Sequence, residues 1–260
     1  MKTTSLLCLI ITIGLMPYAQ AQTPDAAVVP YGNVVQDYKL SWSDEFDGAV
    51  LDSDNWSYRT DSKMWSTQLP ANVSVDGGKL AIAVQKEKAG TKEYTGGGII
   101  SKRAFEYGYY EARFKVPPGA GWHTSFWAMD YNEKNTSPMG TQEIDICEQD
   151  SIKATKYSAG VIAWGDRGKD LGRQYIKTPD LAADFHVWGC EFTPTVVKFF
   201  FDGKLTHQVD ATKFKQGPQR IWLTSIASGN GGAKTVDESK LPATAEFDYV
   251  RFFEKSAPAQ

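Results

Sequence analysis

Val196-Val-Lys-Phe-Phe-Phe-Asp-Gly-Lys-Leu-Thr-His-Gln-Val209 reads as two short strands joined by Asp202-Gly203. Asp-Gly suits the two central positions of a type I′ turn, whose positive φ angles match the twist of a two-residue hairpin. Similar short runs lie on both sides of this hairpin, separated by Gly, Asp, Asn and Pro. The pattern predicts strands at 79–87, 107–116, 124–130, 142–149, 157–164, 185–193, 220–228 and 245–254, with Asp76-Gly77-Gly78 as a second strong turn before the first of them. No segment after residue 21 keeps a 3.6-residue apolar period, so helices are not expected. Many short strands at this spacing predict an all-β chain, a sandwich or jelly roll of two antiparallel sheets.

The bulk properties narrow the class of function. Lys2, the apolar run from Leu6 to Met16 and Ala19-Gln20-Ala21 fit a secretory signal peptide over 1–21, with cleavage before Gln22. The expected location is therefore extracellular or periplasmic, and no later stretch is long and apolar enough to span a bilayer. Residues 22–37 have no clear period and are expected to be a flexible leader. A single domain over 38–255 and a short tail at 256–260 complete the chain. With 28 basic and 31 acidic residues, the net charge of −3 argues against nucleic acid or an anionic membrane as partner. Cys147 and Cys190 remain after cleavage, and an exported protein permits either a bridge or two buried thiols. Aromatic residues make up 13% of the chain, enough to supply both a β-rich core and flat rings for stacking on sugars.

The chemistry concentrates in Gln142-Glu-Ile-Asp-Ile-Cys-Glu-Gln149. In a strand, Glu143 and Asp145 share one face and Ile144 and Ile146 the other. Like charges this close are unfavourable, which points to a function. Glu148 is five residues from Glu143, so strict alternation puts it on the core face, where an unpaired carboxylate is very costly. One inserted residue around Ile146–Cys147, a β-bulge, returns Glu148 to the acidic face. Two carboxyl groups about 5–5.5 Å apart are the arrangement of a retaining glycosidase. A third carboxylate between them helps to separate the pKa values of nucleophile and acid.

The segment Glu-Ile-Asp-Ile-Cys-Glu148 resembles the E-x-D-x-x-E signature of glycoside hydrolase family 16, the laminarinase, agarase and carrageenase group. Leu40-Ser-Trp-Ser-Asp-Glu-Phe-Asp-Gly48, Tyr107-Gly-Tyr-Tyr-Glu-Ala-Arg-Phe-Lys115, Gly121-Trp-His-Thr-Ser-Phe-Trp127, Phe185-His-Val-Trp-Gly-Cys-Glu-Phe-Thr193 and Phe247-Asp-Tyr-Val-Arg251 resemble further landmarks of the family in their expected order. The resemblance implies a β-jelly roll with the motif strand on a concave, substrate-binding sheet. It also implies endo-acting retaining hydrolysis, with Glu143 as nucleophile, Glu148 as acid/base and Asp145 assisting. The extra residue sets the chain apart from members carrying E-x-D-x-E. The expected substrate is a β-linked polysaccharide, with β-1,3-glucan first. An agar-, porphyran- or carrageenan-type galactan, transglycosylation, or a non-catalytic sugar-binding jelly roll are the alternatives.

Other residues divide between cleft and core. Trp127 is the better candidate for sugar stacking, because Trp122 differs from it by an odd number. Trp122 then reaches the cleft from the strand entrance. His123 stands where many relatives have Pro. The resemblance makes His186, on the parity of Trp188, a candidate for a hydrogen bond near the cleaved bond, and Trp164 and Trp188 complete the expected substrate-binding set. Catalysis is expected to need no cofactor. Asp248 resembles a residue that helps bind a structural calcium in relatives, with backbone oxygens near Glu45 and Gly78 as partners. A monomer is expected.

Overall fold

A computed structural model describes residues 28–131, 138–164 and 169–256. The expected signal peptide and most of the expected tail lie outside the described residues. In chain order the strands are β1 (Tyr38–Asp44), β2 (Trp56–Tyr58), β3 (Ser62–Lys63), β4 (Ser66–Gln68), β5 (Val73–Asp76), β6 (Lys79–Val84), β7 (Tyr94–Phe105), β8 (Gly108–Lys115), β9 (Trp122–Tyr131), β10 (Pro138–Asp150), β11 (Lys156–Ala163), β12 (Lys169–Lys177), β13 (His186–Phe192), β14 (Val196–Phe201), β15 (Lys204–Asp210), β16 (Gln219–Ala227) and β17 (Ala243–Lys255). Among the described residues there is no α-helix, only short 3-10 turns.

The strands form the two sheets of a jelly-roll sandwich. One runs β15-β14-β13-β8-β17-β6-β5, with β1 also paired to β17. The other runs β12-β11-β10-β9-β16-β7-β4-β3, with β2 paired to β7. Pairing is antiparallel except between β4 and β7. The Asp202-Gly203 hairpin forms as expected: both residues have positive φ, 45° and 71°, and Phe201 pairs with Lys204 across it.

Alternation builds the core. Phe126, Ala128, Ile144, Ile221 and Leu223 face inward from β9, β10 and β16, against Phe114, Trp188 and Phe247 of the other sheet. Phe114 stacks between Trp188, at 3.9 Å, and Phe247, at 4.6 Å. Cys147 and Cys190 are both buried free thiols in this core, and burial pushes both thiols well above their ordinary range.

The structure adds to the sequence expectation. Besides β1–β5 and β12, which lie outside the expected strands, Tyr94–Phe105 is a strand although Gly96-Gly97-Gly98 lowers β propensity. Close approach of β16 requires those glycines. A Cβ on Gly96 would lie 2.7 Å from the Ser225 carbonyl oxygen, and one on Gly98 2.9 Å from that of Leu223. The expected leader 22–37 is docked from residue 30 onward. The backbone N–H of Tyr31 donates to Glu111 at 2.7 Å, and Val35 is buried with Tyr109, Phe200 and Phe253. Desolvation by burial raises the pKa of Glu111, so this contact ties the segment to a carboxyl group that water does not reach.

Gly98→Val would force β7 and β16 apart. The expected result is a loss of roughly 1–3 kcal/mol or more, read as a lower midpoint in urea unfolding, with the same β-rich circular dichroism at low denaturant.

Candidate active site

The acidic strand carries the predicted bulge. Asp145 pairs with Gly160 and Glu148 with Ser158, so three steps along β10 match two along β11. On the other flank Asp145 pairs with Trp127 and Cys147 with Phe126, two steps against one. Ile144, Ile146 and Cys147 enter the core. Glu143, Asp145 and Glu148 all line a cavity of about 260 Å³ on the outer face of the sheet.

Cross-strand rows build the floor of this cavity. Glu148 stands in register with Ser125 and Ser158, and Ser125 with Thr224. Asp145 is in register with Trp127, and Trp127 with Trp222. Paired residues share a face of the sheet, so the rows carry the carboxylates into the cleft together with an aromatic floor. Trp127 and Trp222 lie 4.7 Å apart, tilted by 31°, and the Trp127 indole N–H donates to Thr224 at 3.2 Å.

The three carboxyl groups have different surroundings. Burial raises the pKa of Glu143, and the neighbouring Glu148 charge adds to it. Hydrogen bonds from Asp145 and Trp164, and the Arg173 charge, act in the opposite direction. The Trp164 indole N–H reaches Oε2 of Glu143 at 3.1 Å. Asp145, fully buried, is raised well above the carboxylate range by desolvation and then by the Glu148 and Glu143 charges, with Arg173 only partly offsetting them. The hydrogen bond between Asp145 and Glu143 pulls the pKa of Glu143 down and pushes that of Asp145 up. Glu148 is more open, with 20% of its side chain exposed.

Two residues outside the expected set complete the constellation. His123 lines the cleft; its Nδ1 lies 2.8 Å from Asp150 and its Nε2 3.6 Å from Glu148 Oε1. Arg173 reaches in from β12. Its Nη2 donates to Asp145 at 2.9 Å and its Nη1 to Glu148 Oε2. Burial pulls the Arg173 pKa down, but the Glu148 and Asp145 charges more than offset it, so the guanidinium stays charged. Arg59 also borders the cavity, held by Asp61 through its Nε at 2.6 Å. A lone arginine in an irregular edge strand gives no periodic signal, and this hid Arg173. The departure from Pro at His123 was visible, but its partner Asp150 was not.

The expected substrate-binding residues separate. Trp127 and Trp164 line the cleft. Trp122 does not: it is buried in a side core with Val84, Ala227 and Val236, its indole N–H donating to the Pro117 carbonyl at 3.2 Å. Trp188 lies on the inner face of the opposite sheet, fully buried. His186 is in that sheet too, its Nδ1 2.8 Å from Asp202 of the hairpin turn, where it braces the turn. The two share a strand parity, but their strand, β13, belongs to the other layer.

Two of the residues expected around a structural calcium are held by arginines. Arg113 holds Asp248 at 2.6 Å, and Arg251 holds both oxygens of Glu45, at 2.9 and 2.8 Å. Gly78 lies beside Asp47. Guanidinium groups thus already meet one oxygen of Asp248 and both oxygens of Glu45. Among the described residues, no three His, Cys, Asp or Glu side chains are grouped to hold a metal.

A jelly roll with a carboxylate triad across a bulge defines a class of sugar-cleaving enzymes, and the whole folded chain follows its pattern. Residues 38–255 match the sequence model of the β-porphyranase A–D GH16 domain, and the chain belongs to glycoside hydrolase family 16. It is an O-glycosyl hydrolase with a polysaccharide substrate. It is 28% identical to a β-glucanase of Rhodothermus marinus over 245 residues, covering 83% of this chain and 85% of the relative. A β-porphyranase E of Zobellia galactanivorans is 29% identical over 201 residues, 68% of this chain and 71% of the relative. Among solved structures, the laminarinase of Flavobacterium sp. UMI-01 aligns with a TM-score of 0.72 at 26% identity, covering 83% of this chain and all of that one.

Trp164→Phe removes a donor that favours ionised Glu143. The titration of Glu143 should move to higher pH, as followed by the 13C shift of its carboxyl carbon. Trp188→Leu leaves the cleft untouched: it should lower the melting temperature, at a cost of roughly 3 kcal/mol or more, while KM for the hydrolysed polysaccharide stays unchanged.

Proposed function

We propose that the protein is an endo-acting, retaining hydrolase of a β-linked polysaccharide, with β-1,3-glucan as substrate. The observation that carries this reading is the continuous chain Glu143–Asp145–Arg173–Glu148, in which three carboxylates on the cleft face of one bulged strand are joined by an arginine from β12. Its ends differ as a double displacement requires. Glu143 receives hydrogen bonds from Asp145 and Trp164, which favour the ionised form needed to attack the anomeric carbon. Glu148 is the acid/base: it protonates the glycosidic oxygen as the first bond breaks, then takes a proton from the water that cleaves the glycosyl-enzyme ester. Asp145 assists through its hydrogen bond to Glu143, which lowers the pKa of the nucleophile. Trp127 and Trp164 supply aromatic surface for sugar rings.

The substrate follows from the relatives. The β-glucanase of Rhodothermus marinus and the laminarinase of Flavobacterium sp. UMI-01 favour a β-1,3-glucan. A second reading, porphyran, is favoured by the match of the porphyranase-type sequence model to residues 38–255. The protein acts outside the cytoplasm as a monomer, after removal of residues 1–21.

Reducing ends released from laminarin, lichenan, agarose, porphyran and carrageenan test the substrate. Laminarin should be cut into short oligomers, and the first-formed product should carry the β anomer by proton NMR. Glu143→Gln should lower kcat by at least about 10⁴-fold. Binding without turnover by the unmutated protein would mark a sugar-binding module. Products longer than the substrate would mark a transglycosylase. Turnover of porphyran but not laminarin would replace the glucan reading with the galactan one.

A further inference from the structure

Arg173 is brought into the active site by two glycines on adjacent strands. β12 carries an irregularity opposite Ala159–Val161, where Leu171 to Gln174 span three steps against two on β11. Gly172 takes φ of 74° there, a conformation open to glycine at little cost. A bulge re-aims the side chain next to it, and here that side chain is Arg173. Gly160 of β11 lies directly beneath. A Cβ at Gly160 would sit 2.7 Å from Arg173 Cα and 3.1 Å from its Cβ. Because Gly160 pairs with Asp145, the bare backbone at Gly160 lets the arginine cross β11 and reach the acidic strand.

The guanidinium is fully committed once there. Nε donates to Asp170 at 3.0 Å, Nη2 to Asp145 at 2.9 Å and Nη1 to Glu148 Oε2. Asp170 also accepts from the Arg173 backbone N–H at 3.1 Å, which fixes the base of the side chain. Ser158 donates to the same Glu148 oxygen at 3.4 Å. All of this lies on the β11–β12 side of Glu148. The other oxygen, Oε1, faces His123 across the cleft.

We propose that Arg173 is the positioning residue of the acid/base: it holds Oε2 of Glu148, so that Oε1 alone is presented to the leaving oxygen of the substrate. The inference rests on the reading of Glu148 as acid/base. A flexible glutamate held only at its Cα has several rotamers, of which few aim an oxygen at the scissile bond. A rigid planar fork bridging Asp145 and Glu148 selects one of them. It also ties the acid/base to Asp145, and through Asp145 to Glu143, so both ends of the reaction share one frame.

A positioning role predicts dependence on the leaving group. A polysaccharide leaves as an alkoxide-like sugar and needs a well-placed proton; a 2,4-dinitrophenyl leaving group needs none. Arg173→Met should lower kcat/KM on the hydrolysed polysaccharide on the order of 100-fold. For the 2,4-dinitrophenyl glycoside of the released oligosaccharide, kcat/KM, which reports only the first bond-breaking step, should fall far less, by roughly tenfold at most. Arg173→Lys keeps the charge but not the fork, and should show the same selective loss at smaller size. Equal losses on both substrates in either variant would overturn the inference, since a merely structural role lowers both. Glu148→Gln is the control for the underlying reading. If it spares kcat/KM for the aryl glycoside while Arg173→Met lowers it as far as on the polysaccharide, the acid/base assignment stands and the role of Arg173 falls. If it leaves polysaccharide hydrolysis intact, the acid/base assignment itself falls.

Discussion

The site depends on one extra residue in a strand that must satisfy two faces at once. Ile144, Ile146 and Cys147 belong to the core, and Glu143, Asp145 and Glu148 to the cleft. A regular strand cannot deliver both sets, because its side chains alternate without exception. Regular pairing would put Glu148 among apolar side chains, a cost of several kcal/mol for an unpaired charge. Interrupting the ladder for one residue costs about 1 kcal/mol per lost hydrogen bond. The bulge is the cheaper solution, and the shift appears against both neighbours, β9 and β11. The irregularity therefore belongs to β10.

The same economy of backbone shapes the rest of the concave sheet. Gly96 and Gly98 let β7 close on β16, and Gly160 with Gly172 lets β12 send an arginine over β11. In each case a missing Cβ turns a poor strand residue into the one that fits. The sheet gives up some conformational entropy and gains close strand packing and a cleft lined by side chains from several strands. Burial then acts on the carboxyl groups. Glu143 and Asp145 are both pushed up by desolvation, but only Asp145 is fully enclosed. The hydrogen bond between them acts in opposite directions, lowering the pKa of Glu143 and raising that of Asp145.

Aromatic residues show how the two sheets share one composition. Trp188 and Phe114 stack in the core between the layers, and Trp122 closes a smaller core at one end. Trp127 and Trp164 have the same chemistry but line the cleft, each with its indole N–H satisfied, by Thr224 and by Glu143. Nothing in the residue type separates the two groups. The layer and face of the strand decide.

Periodicity and local turn chemistry belong to a single segment, so the Asp202-Gly203 hairpin, the all-β class, the inward set Ile144 and Ile146 and, by parity, the bulge that returns Glu148 to the acidic face were legible in the residues alone. The same logic chose Trp127 over Trp122 for the cleft. Tertiary structure decided what depends on neighbours far along the chain. It placed His186 and Trp188 in the opposite sheet, gave Asp248 and Glu45 to Arg113 and Arg251, buried Val35 of the N-terminal stretch, and made a strand of Tyr94–Phe105 despite its glycines. It also brought Arg173 to Asp145 and Glu148 across an intervening strand. The physical reason is common to all of these. A strand's own residues fix which side chains share a face, but the pairing order of the sheets fixes what that face meets.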